Sequence, residues 1–212
     1  MGEQVRHPVF AWFYARLSEQ MEQTGLAQIR QRMLAGVSGD VVEVGAGNGL
    51  NFAHYPPTVA GVVAVEPEPS LRRRAEAAAS AAPVPVRVVA GTAARLPLRD
   101  NSCDAVVVSL VLCSVTDQHA ALAEIGRVLR PGGRLHFFEH VRSEHRAAAQ
   151  VQRFLDATVW PRLFGGCHSG RDTVTAIEAA GFEIEELERM RFPENGVPMP
   201  TVTHVLGRAR RP

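Results

Sequence analysis

The chain of 212 residues contains no lysine, so all 23 of its basic residues are arginine. The lack of lysine excludes reactions that need a covalent Schiff-base lysine, and it excludes nucleotide loops that hold phosphate through a lysine. Cysteine is scarce as well, because only Cys103, Cys113 and Cys167 occur and they are widely spaced. This odd number and this spacing predict reduced thiols with no disulfide framework and no metal site, and they favour a cytoplasmic location.

A strong net charge and a long apolar run are missing too. The formal net charge is +1, which creates no long-range field, so no nucleic-acid partner is expected. The most membrane-like stretch, residues 105–115, is shorter than the roughly 18 apolar residues that a membrane span needs, so we expect no transmembrane segment. Hydrophobic residues make up 46% and charged residues 21%, which is typical of a globular protein, and we predict one domain over residues 1–212.

Strand-like and helix-like segments alternate through the middle of the chain. Residues 8–35 have helical spacing, and Gly25 is expected to divide them into two helices. The expected strands are 40–44, 62–66, 84–90, 104–110 and 134–140, and the expected helices are 48–55, 69–82, 117–129, 144–160 and 171–180. Two last strands, 182–191 and 201–208, are expected to pair antiparallel. Strands that alternate with helices indicate an α/β fold with a parallel sheet between two helical layers.

The fragment VVEVGAGNG, residues 41–49, runs from the first expected strand directly into a glycine-rich turn. Gly45 and Gly47 let the backbone approach a ligand closely, because they carry no Cβ. Glu43 lies two residues before the first glycine. Glu66 ends the next strand, where a carboxylate can accept hydrogen bonds from both hydroxyls of a ribose. In a parallel sheet these groups meet at the carboxyl ends of the strands, which predicts a ligand site there.

A nicotinamide dinucleotide would use similar elements, but the residues favour a different cofactor. Leu50 stands where the fingerprint G-x-G-x-x-G needs a third small residue, and the glycines instead follow the pattern Gly45-x-Gly47-x-Gly49. Glu43 would repel a pyrophosphate but can pair with an ammonium group. S-adenosylmethionine carries an ammonium, a sulfonium and a ribose but no phosphate, so the pattern suits it better. An NAD(P)-dependent oxidoreductase and a non-catalytic cofactor-binding module are the alternatives from other classes.

Four segments together resemble the class I S-adenosylmethionine-dependent methyltransferases of the small-molecule type: VVEVGAGNG, VVAVEPEP, GTAARLPLRDNSCDAVV and EIGRVLRPGGRLHFFEHV. The resemblance implies a Rossmann-like, mostly parallel sheet of seven strands with helices on both faces. It also implies an N-terminal helical lid over residues 1–35, a cofactor-binding half over 36–140 and a substrate-side half over 141–212. The cofactor-binding residues that it implies are Tyr14, Glu43, Gly45, Ala46, Gly47, Gly49, Asn51, Glu66, Pro67, Thr92, Ala93, Ser109 and Leu110.

A narrower resemblance rests on LNFAHYPP, SLVLCSV, FFEHV and LFGGC, followed by Arg171. These segments look like the membrane-associated thiol methyltransferases of animals and their bacterial relatives. The animal proteins carry an N-terminal membrane anchor, and we do not expect one in this sequence. The resemblance implies a small, apolar acceptor molecule, with methylation of a thiol sulfur favoured. O-, C- or N-methylation of a phenol, a quinol or a lipid headgroup is the alternative.

Candidate catalytic residues follow from the reaction. Methyl transfer is an in-line displacement at a carbon that the sulfonium already activates, so positioning can supply much of the catalysis. A thiol or hydroxyl acceptor would benefit from a nearby base, and His140, at the end of the fifth expected strand, is the first candidate. Asp156 and His168 are further candidates, since they lie in the segment that covers the acceptor site in this fold. A purely structural role for His140, as a bond to a loop carbonyl, is the alternative.

The residues after the fifth expected strand are rich in large apolar side chains. We expect an apolar cover over the acceptor site, formed by Phe154, Leu155, Trp160, Leu163 and Phe164. The pair Cys113 and Cys167 also resembles the thiols of arsenite methyltransferases, although those enzymes bind the metalloid through several thiols. Free cysteine more commonly packs as a small apolar side chain.

Overall fold

The computed structural model of the protein describes residues 8–193 and 201–212, with side chains described from residue 13 onwards. Residues 1–7 of the expected lid lie outside this part. The helices are α1 (Pro8–Met21), α2 (Ala27–Leu34), α3 (Pro69–Ala79), α4 (Gln118–Val128), α5 (Arg146–Ala157), α6 (Trp160–Leu163) and α7 (Thr173–Ala179). The strands are β1 (Gly39–Val44), β2 (Val59–Val65), β3 (Val86–Val89), β4 (Cys103–Ser109), β5 (Leu129–His140), β6 (Glu183–Arg191) and β7 (Thr203–Arg210).

The seven strands form one sheet in the order β3-β2-β1-β4-β5-β7-β6. Strands β1 to β5 pair in parallel, while β7 runs antiparallel to both β5 and β6. This confirms the predicted mostly parallel sheet and the closing antiparallel pair. Glu43 of β1 lies opposite Ala64 of β2 and Val107 of β4, so this carboxylate enters the site from the middle of the sheet.

Strand β4 shows why the sheet is covered on both faces. Val106 and Val108 pack into one apolar cluster with residues of α4 and α7, while Ala105 and Val107 pack into a second cluster with residues of α2 and α3. Successive side chains of a strand point to opposite faces, so an all-apolar strand must be buried on both. The predicted two-faced helical covering is therefore confirmed.

Local signals in the sequence explain where the helices begin. Glu68 caps α3 by accepting hydrogen bonds from the backbone N–H groups of Ser70 at 2.6 Å and Leu71 at 3.0 Å, and Pro69 follows it in the first turn. Asp117 caps α4 by accepting from the N–H of Ala120 at 3.0 Å. At Gly25 the backbone has φ of +114°, and this kink separates α1 from α2 as predicted.

Two helix predictions were wrong. Residues 48–55 form a turn and a single 3₁₀ turn, Phe52–His54, because Gly49 has φ of +82° and Pro56 follows closely. The predicted helix over 144–160 ends at Ala157, and the short helix α6 begins at Trp160, with Pro161 in its first turn. Proline lacks the N–H that a continuous helix would need, but it suits the start of a new one.

Candidate active site

The glycine turn after β1 has the backbone shape that its sequence predicts. Gly45, Gly47 and Gly49 have φ of +70°, +57° and +82°, a region that side-chain-bearing residues rarely adopt. A Cβ at Gly45 would lie 2.5 Å from Cγ2 of Val111, and a Cβ at Gly47 would lie 3.3 Å from Cε1 of Tyr14. Glycine at these two positions therefore lets Val111 and Tyr14 pack directly against the turn.

Glu66, at the end of β2, points into this turn. Its carboxylate accepts hydrogen bonds from the backbone N–H of Gly47 at 2.8 Å and from the backbone N–H of Glu68 at 2.9 Å. Burial raises the pKa of Glu66 to about 7, although both hydrogen bonds favour the charged form. A carboxylate has about four lone-pair directions, so two acceptor directions remain for a ligand. The position fits the ribose-binding role implied by the sequence.

Glu43 accepts hydrogen bonds from two side chains that follow the glycine turn. One carboxylate oxygen accepts from the Asn51 side-chain amide at 2.9 Å, and the other accepts from the Tyr55 hydroxyl at 2.6 Å. The buried Arg30 guanidinium donates to Oδ1 of Asn51 at 2.6 Å and to Glu22 at 2.7 Å. Burial raises the pKa of Glu43 to about 7. Glu43 precedes the glycine turn and Asn51 follows it, so their hydrogen bond joins the two ends of this segment. The network includes Arg30 and Tyr55, which the sequence did not single out.

Helix α1 lies across the glycine turn, where the predicted lid should be. The Tyr14 ring covers Gly47 and packs with Ala15 and Leu71 of α3. Asn48 of the turn donates its side-chain amide to Oγ of Ser18 at 3.3 Å. Burial raises the pKa of Tyr14, and the charges that act on it include those of Glu66, Glu43 and Cys113. Tyr14 therefore lies directly against the glycine turn.

The remaining cofactor candidates line the same edge of the sheet. Pro67 follows Glu66, and Arg72 donates to the carbonyl oxygens of Glu66 at 3.0 Å and Pro67 at 3.4 Å. Ala46 follows Gly45, while Thr92 and Ala93 follow β3, and Ser109 ends β4. Leu110 has φ of +59° and donates its N–H to the carbonyl of Phe138 at 2.7 Å. Such a backbone conformation outside glycine costs energy and is concentrated at functional sites.

His140 ends β5 and lies between two buried cysteines. Its Nδ1 is 3.4 Å from Sγ of Cys113 and 3.5 Å from Sγ of Cys167, and the two sulfur atoms are 3.9 Å apart. The hydrogen bond between the two thiols and the nearby His140 lower the pKa of Cys167 to about 5, while the same hydrogen bond and burial raise the pKa of Cys113. The third cysteine, Cys103, lies apart in the core and donates to the carbonyl of Val128 at 3.3 Å.

The segment that carries Cys113 is held by a buried carboxylate. Glu139 accepts hydrogen bonds from the backbone N–H groups of Val111 at 2.8 Å, Leu112 at 2.9 Å and Cys113 at 3.0 Å. Burial raises the pKa of Glu139, and these three bonds oppose that shift. Arg171 also donates to the carbonyls of this segment, at 2.8 Å and 2.7 Å. Sequence reasoning chose His140 and missed its neighbour Glu139, whose polar character inside an apolar strand is the signal that could have revealed it.

Asp156 and His168 lie on the segment that carries Cys167. Asp156 accepts hydrogen bonds from the backbone N–H groups of Ser169 and Gly170, each at 2.8 Å. Nδ1 of His168 lies 2.7 Å from the carbonyl of Gly166, and its backbone N–H donates to the carbonyl of Cys113 at 2.8 Å. Both side chains shape the turn after α6, and their catalytic role stays a prediction.

The expected apolar cover is formed only in part. Trp160 is buried, and it packs with Leu155 and Phe164 around Cys113 and Cys167. Phe154 and Leu163 are 69% and 64% exposed, so including them in the cover was wrong. They lie on the outer sides of α5 and α6.

Known proteins with similar sequences identify the family of this chain. Residues 42–137 match the family model described as a methyltransferase domain. The thiol S-methyltransferase TMT1B of Rattus norvegicus is 36% identical over 182 residues, which cover 83% of this chain and 73% of the relative. The chain belongs to the class I S-adenosylmethionine-dependent methyltransferases. Human thiol S-methyltransferase TMT1A is 38% identical over 165 residues, 75% of this chain and 67% of the relative. The ubiquinone/menaquinone biosynthesis C-methyltransferase UbiE of Syntrophotalea carbinolica is 30% identical over 176 residues, 79% of this chain and 73% of the relative.

Solved structures show the same fold for this methyltransferase. A putative methyltransferase from Bacillus halodurans superposes with a TM-score of 0.70 at 20% identity, over 88% of this chain and 98% of that chain. A geranyl diphosphate methyltransferase in complex with GPP and sinefungin superposes with a TM-score of 0.65 at 16% identity, over 88% and 77% of the two chains. The enzyme uses S-adenosylmethionine, which confirms the predicted cofactor. None of the described helices combines the length and the apolar character needed to cross a membrane.

Proposed function

We propose that this methyltransferase transfers a methyl group to the sulfur of a small, apolar thiol. The observation that carries the proposal is the convergence of His140, Cys113 and Cys167 beneath apolar side chains, next to the glycine turn. Val111, two residues before Cys113, borders Gly45 directly. The likeness to relatives named thiol S-methyltransferases supports the same acceptor.

The residues around the glycine turn fit the cofactor. Gly45 and Gly47 carry no Cβ and have the positive φ that the turn needs, so the backbone of the turn would lie close to the methionyl part. Glu66 retains acceptor directions for ribose hydroxyls, and Tyr14 would close over the turn. When bound, S-adenosylmethionine supplies a methyl group on a positively charged sulfonium. Glu43 would act by holding the segment of the glycine turn, through its hydrogen bonds from Asn51 and Tyr55.

The acceptor would bind on the other side of Leu110, which packs against Trp160 and the two cysteines. Apolar side chains there would exclude water from the sulfonium and favour an apolar nucleophile. A free thiol has a pKa of about 8.5, so forming the thiolate near neutral pH costs little free energy. We assign activation of this thiol to His140 and its cysteine partners, and we assign positioning of the covering segment to Asp156 and His168.

Several other features belong to the same proposal. The acceptor is a small molecule. The lid, the cofactor-binding half and the substrate-side half belong to one domain. The enzyme works in a reducing, cytoplasmic environment. Three free cysteine thiols support the reducing environment. Methylation of a quinol carbon is the second candidate function, and the likeness to a quinone C-methyltransferase favours it.

The test is a screen with acceptors that differ mainly in the attacking atom. Benzyl thiol, benzyl alcohol, benzylamine and a small quinol are each mixed with S-adenosylmethionine and the enzyme, and formation of S-adenosylhomocysteine is measured. We expect turnover with the thiol well above that with its alcohol and amine analogues. A Gly47→Val variant controls for contaminating activity, because a branched side chain at φ of +57° would meet Tyr14 and distort the turn. Efficient methylation of the quinol without methylation of any thiol would refute the acceptor and leave the family unchanged.

A further inference from the structure

Cys113, His140 and Cys167 come from three separate segments, yet their ligand atoms lie within 4.8 Å of one another. Two cysteine sulfurs and one imidazole nitrogen form a donor set typical of zinc. We propose that these residues bind one zinc ion with three protein ligands and an open fourth position. The spacing of the cysteines along the sequence predicted no metal site, and the three-dimensional arrangement supports the opposite.

The distances fit a tetrahedral ion. Bond lengths of about 2.3 Å from zinc to sulfur and about 2.05 Å to nitrogen place tetrahedral ligands about 3.8 Å apart for two sulfurs and about 3.6 Å apart for sulfur and nitrogen. The corresponding distances here are 3.9 Å between the sulfurs, and 3.4 Å and 3.5 Å from the sulfurs to Nδ1 of His140. Binding would therefore require only small movements of the three side chains. Two thiolates also balance the charge of the ion, as a buried site demands.

The frame around these ligands is fixed. Glu139 accepts a hydrogen bond from the N–H of Cys113 at 3.0 Å, and the N–H of His168 donates to the Cys113 carbonyl at 2.8 Å, which joins the segments of the two cysteines. The His204 ring packs on His140 with ring centres 4.6 Å apart. Metal sites are tuned by such surrounding groups, which orient the ligands.

A buried donor lies beside the same cluster. Trp160 is 8% exposed and packs with Cys113 and Cys167, and its indole N–H is directed at the sulfur of Cys167. A zinc-bound thiolate keeps lone pairs that would accept this hydrogen bond, so Trp160 would help to orient one ligand of the ion.

The use of the fourth position rests on the proposed function. An acceptor thiol would lose its proton to solvent as its sulfur becomes the fourth ligand. One sulfur lone pair then forms the new bond to the methyl carbon, while the bond from that carbon to the sulfonium breaks and its electron pair returns to the cofactor sulfur. The products are a neutral thioether and S-adenosylhomocysteine. The thioether is a weaker ligand than a thiolate, so it can leave.

The first experiment tests the ion alone. The full chain is freed of metal with a chelator and titrated with Co²⁺, and the absorption spectrum is recorded. We expect thiolate-to-cobalt charge transfer and the visible bands of tetrahedral cobalt, with saturation at one ion per chain and displacement by Zn²⁺. Cys113→Ser and Cys167→Ser should each weaken binding by more than the roughly 10–100-fold effect of losing a surrounding partner. The matched control is Cys103→Ser, which should bind normally, because Cys103 lies outside the cluster.

A second measurement avoids variants that fail to fold. Zn²⁺ should protect Cys113 and Cys167 of the unaltered chain from alkylation under mild denaturation, as read by mass spectrometry, and it should not protect Cys103. A cobalt spectrum without thiolate bands, or equal alkylation of all three cysteines with and without Zn²⁺, would overturn the zinc site.

The role of the fourth position has its own readout. Adding benzyl thiol to the cobalt-loaded enzyme should shift the visible bands, and removing metal should lower thiol turnover while leaving S-adenosylhomocysteine binding intact. Full thiol turnover by the metal-free enzyme would refute this use of the ion and leave thiol methylation standing. Zinc binding without methylation of any thiol would refute the proposed acceptor and leave the metal site standing.

Discussion

Glu66 gives the sharpest test of how the cofactor is held. Its carboxylate already accepts two backbone hydrogen bonds, and two acceptor directions remain for the ribose. In Glu66→Gln the amide nitrogen cannot accept, so at least one hydrogen bond to a charged acceptor is lost. Such a bond contributes about 1.5–3 kcal/mol, which corresponds to a roughly 10- to 150-fold rise in the Kd for S-adenosylmethionine.

The pKa of Glu66 adds a pH dependence to this effect. Burial raises that pKa to about 7, and only the ionised form offers all its lone pairs to the ribose. Affinity should therefore rise as pH increases from 6 to 8, and the Glu66→Gln variant should lose this rise. In the cofactor-free protein, by contrast, a rise in pH lowers the stability of the fold. The carboxyl group of Glu66 binds its proton more tightly in the folded chain than in the unfolded chain, where its pKa is about 4.5. The free energy of unfolding should therefore fall by about 3 kcal/mol as the pH rises from about 4.5 to about 7.

Isothermal titration calorimetry at pH 6, 7 and 8 would measure the loss of affinity for S-adenosylmethionine and its dependence on pH. Glu76, exposed on α3, supplies the control variant Glu76→Gln, which changes the same functional group away from the site. Its affinity should match that of the unaltered enzyme. If Glu66→Gln binds S-adenosylmethionine as tightly as the unaltered enzyme at pH 8, Glu66 does not hold the ribose, and the argument from its lone pairs fails.

Three further predictions concern the turn, the buried carboxylate and the histidine. Gly47→Ala should weaken cofactor binding in a calorimetric titration, because its Cβ would meet Tyr14 at 3.3 Å and its φ is +57°; normal binding would contradict this. Glu139→Ala should lower the free energy of unfolding by about 3 kcal/mol in urea, because it leaves two buried N–H groups and one half-buried N–H group unpaired, and an unchanged midpoint would refute that. His140→Ala should lower thiol turnover by about 10²–10⁴-fold with little change in cofactor affinity, while exposed His119→Ala stays active; equal rates would remove His140 from catalysis.

Local patterns predicted most of the fold, because the period of apolar residues changes wherever a strand gives way to a helix. Strand β4 was recognisable because it is apolar on both faces, and α3 because Glu68 and Pro69 mark its start. The segment after the glycine turn was predicted as a helix, although it is mostly a turn. Tertiary hydrogen bonds decide its shape, since Asn51 and Tyr55 both donate to Glu43, and propensity gives no sign of such bonds.

The cofactor side of the site was predictable for a geometric reason. Parallel strands bring their carboxyl ends to one edge, so a glycine turn after β1 and an acidic residue after β2 must lie close together. What the sequence could not show is how the acidic groups divide their roles. Glu43 and Glu66 follow similar strands, yet Glu43 accepts from two side chains, whereas Glu66 accepts from backbone N–H groups of the glycine turn and of the segment after β2. Arg30, from a helix far back in the chain, orders the Asn51 side chain that donates to Glu43.

The cluster of His140 with two cysteines marks where sequence reasoning about metals fails. Spacing rules identify metal ligands that lie close together in the chain, but Cys113 is 27 residues from His140 and 54 residues from Cys167. Adjacent pairing of β4 with β5 brings the first two together, and the hydrogen bond from His168 to the Cys113 carbonyl brings in the third. Because all three contacts depend on topology, a sequence with few and scattered cysteines can still build a compact donor set, and only the folded chain reveals it.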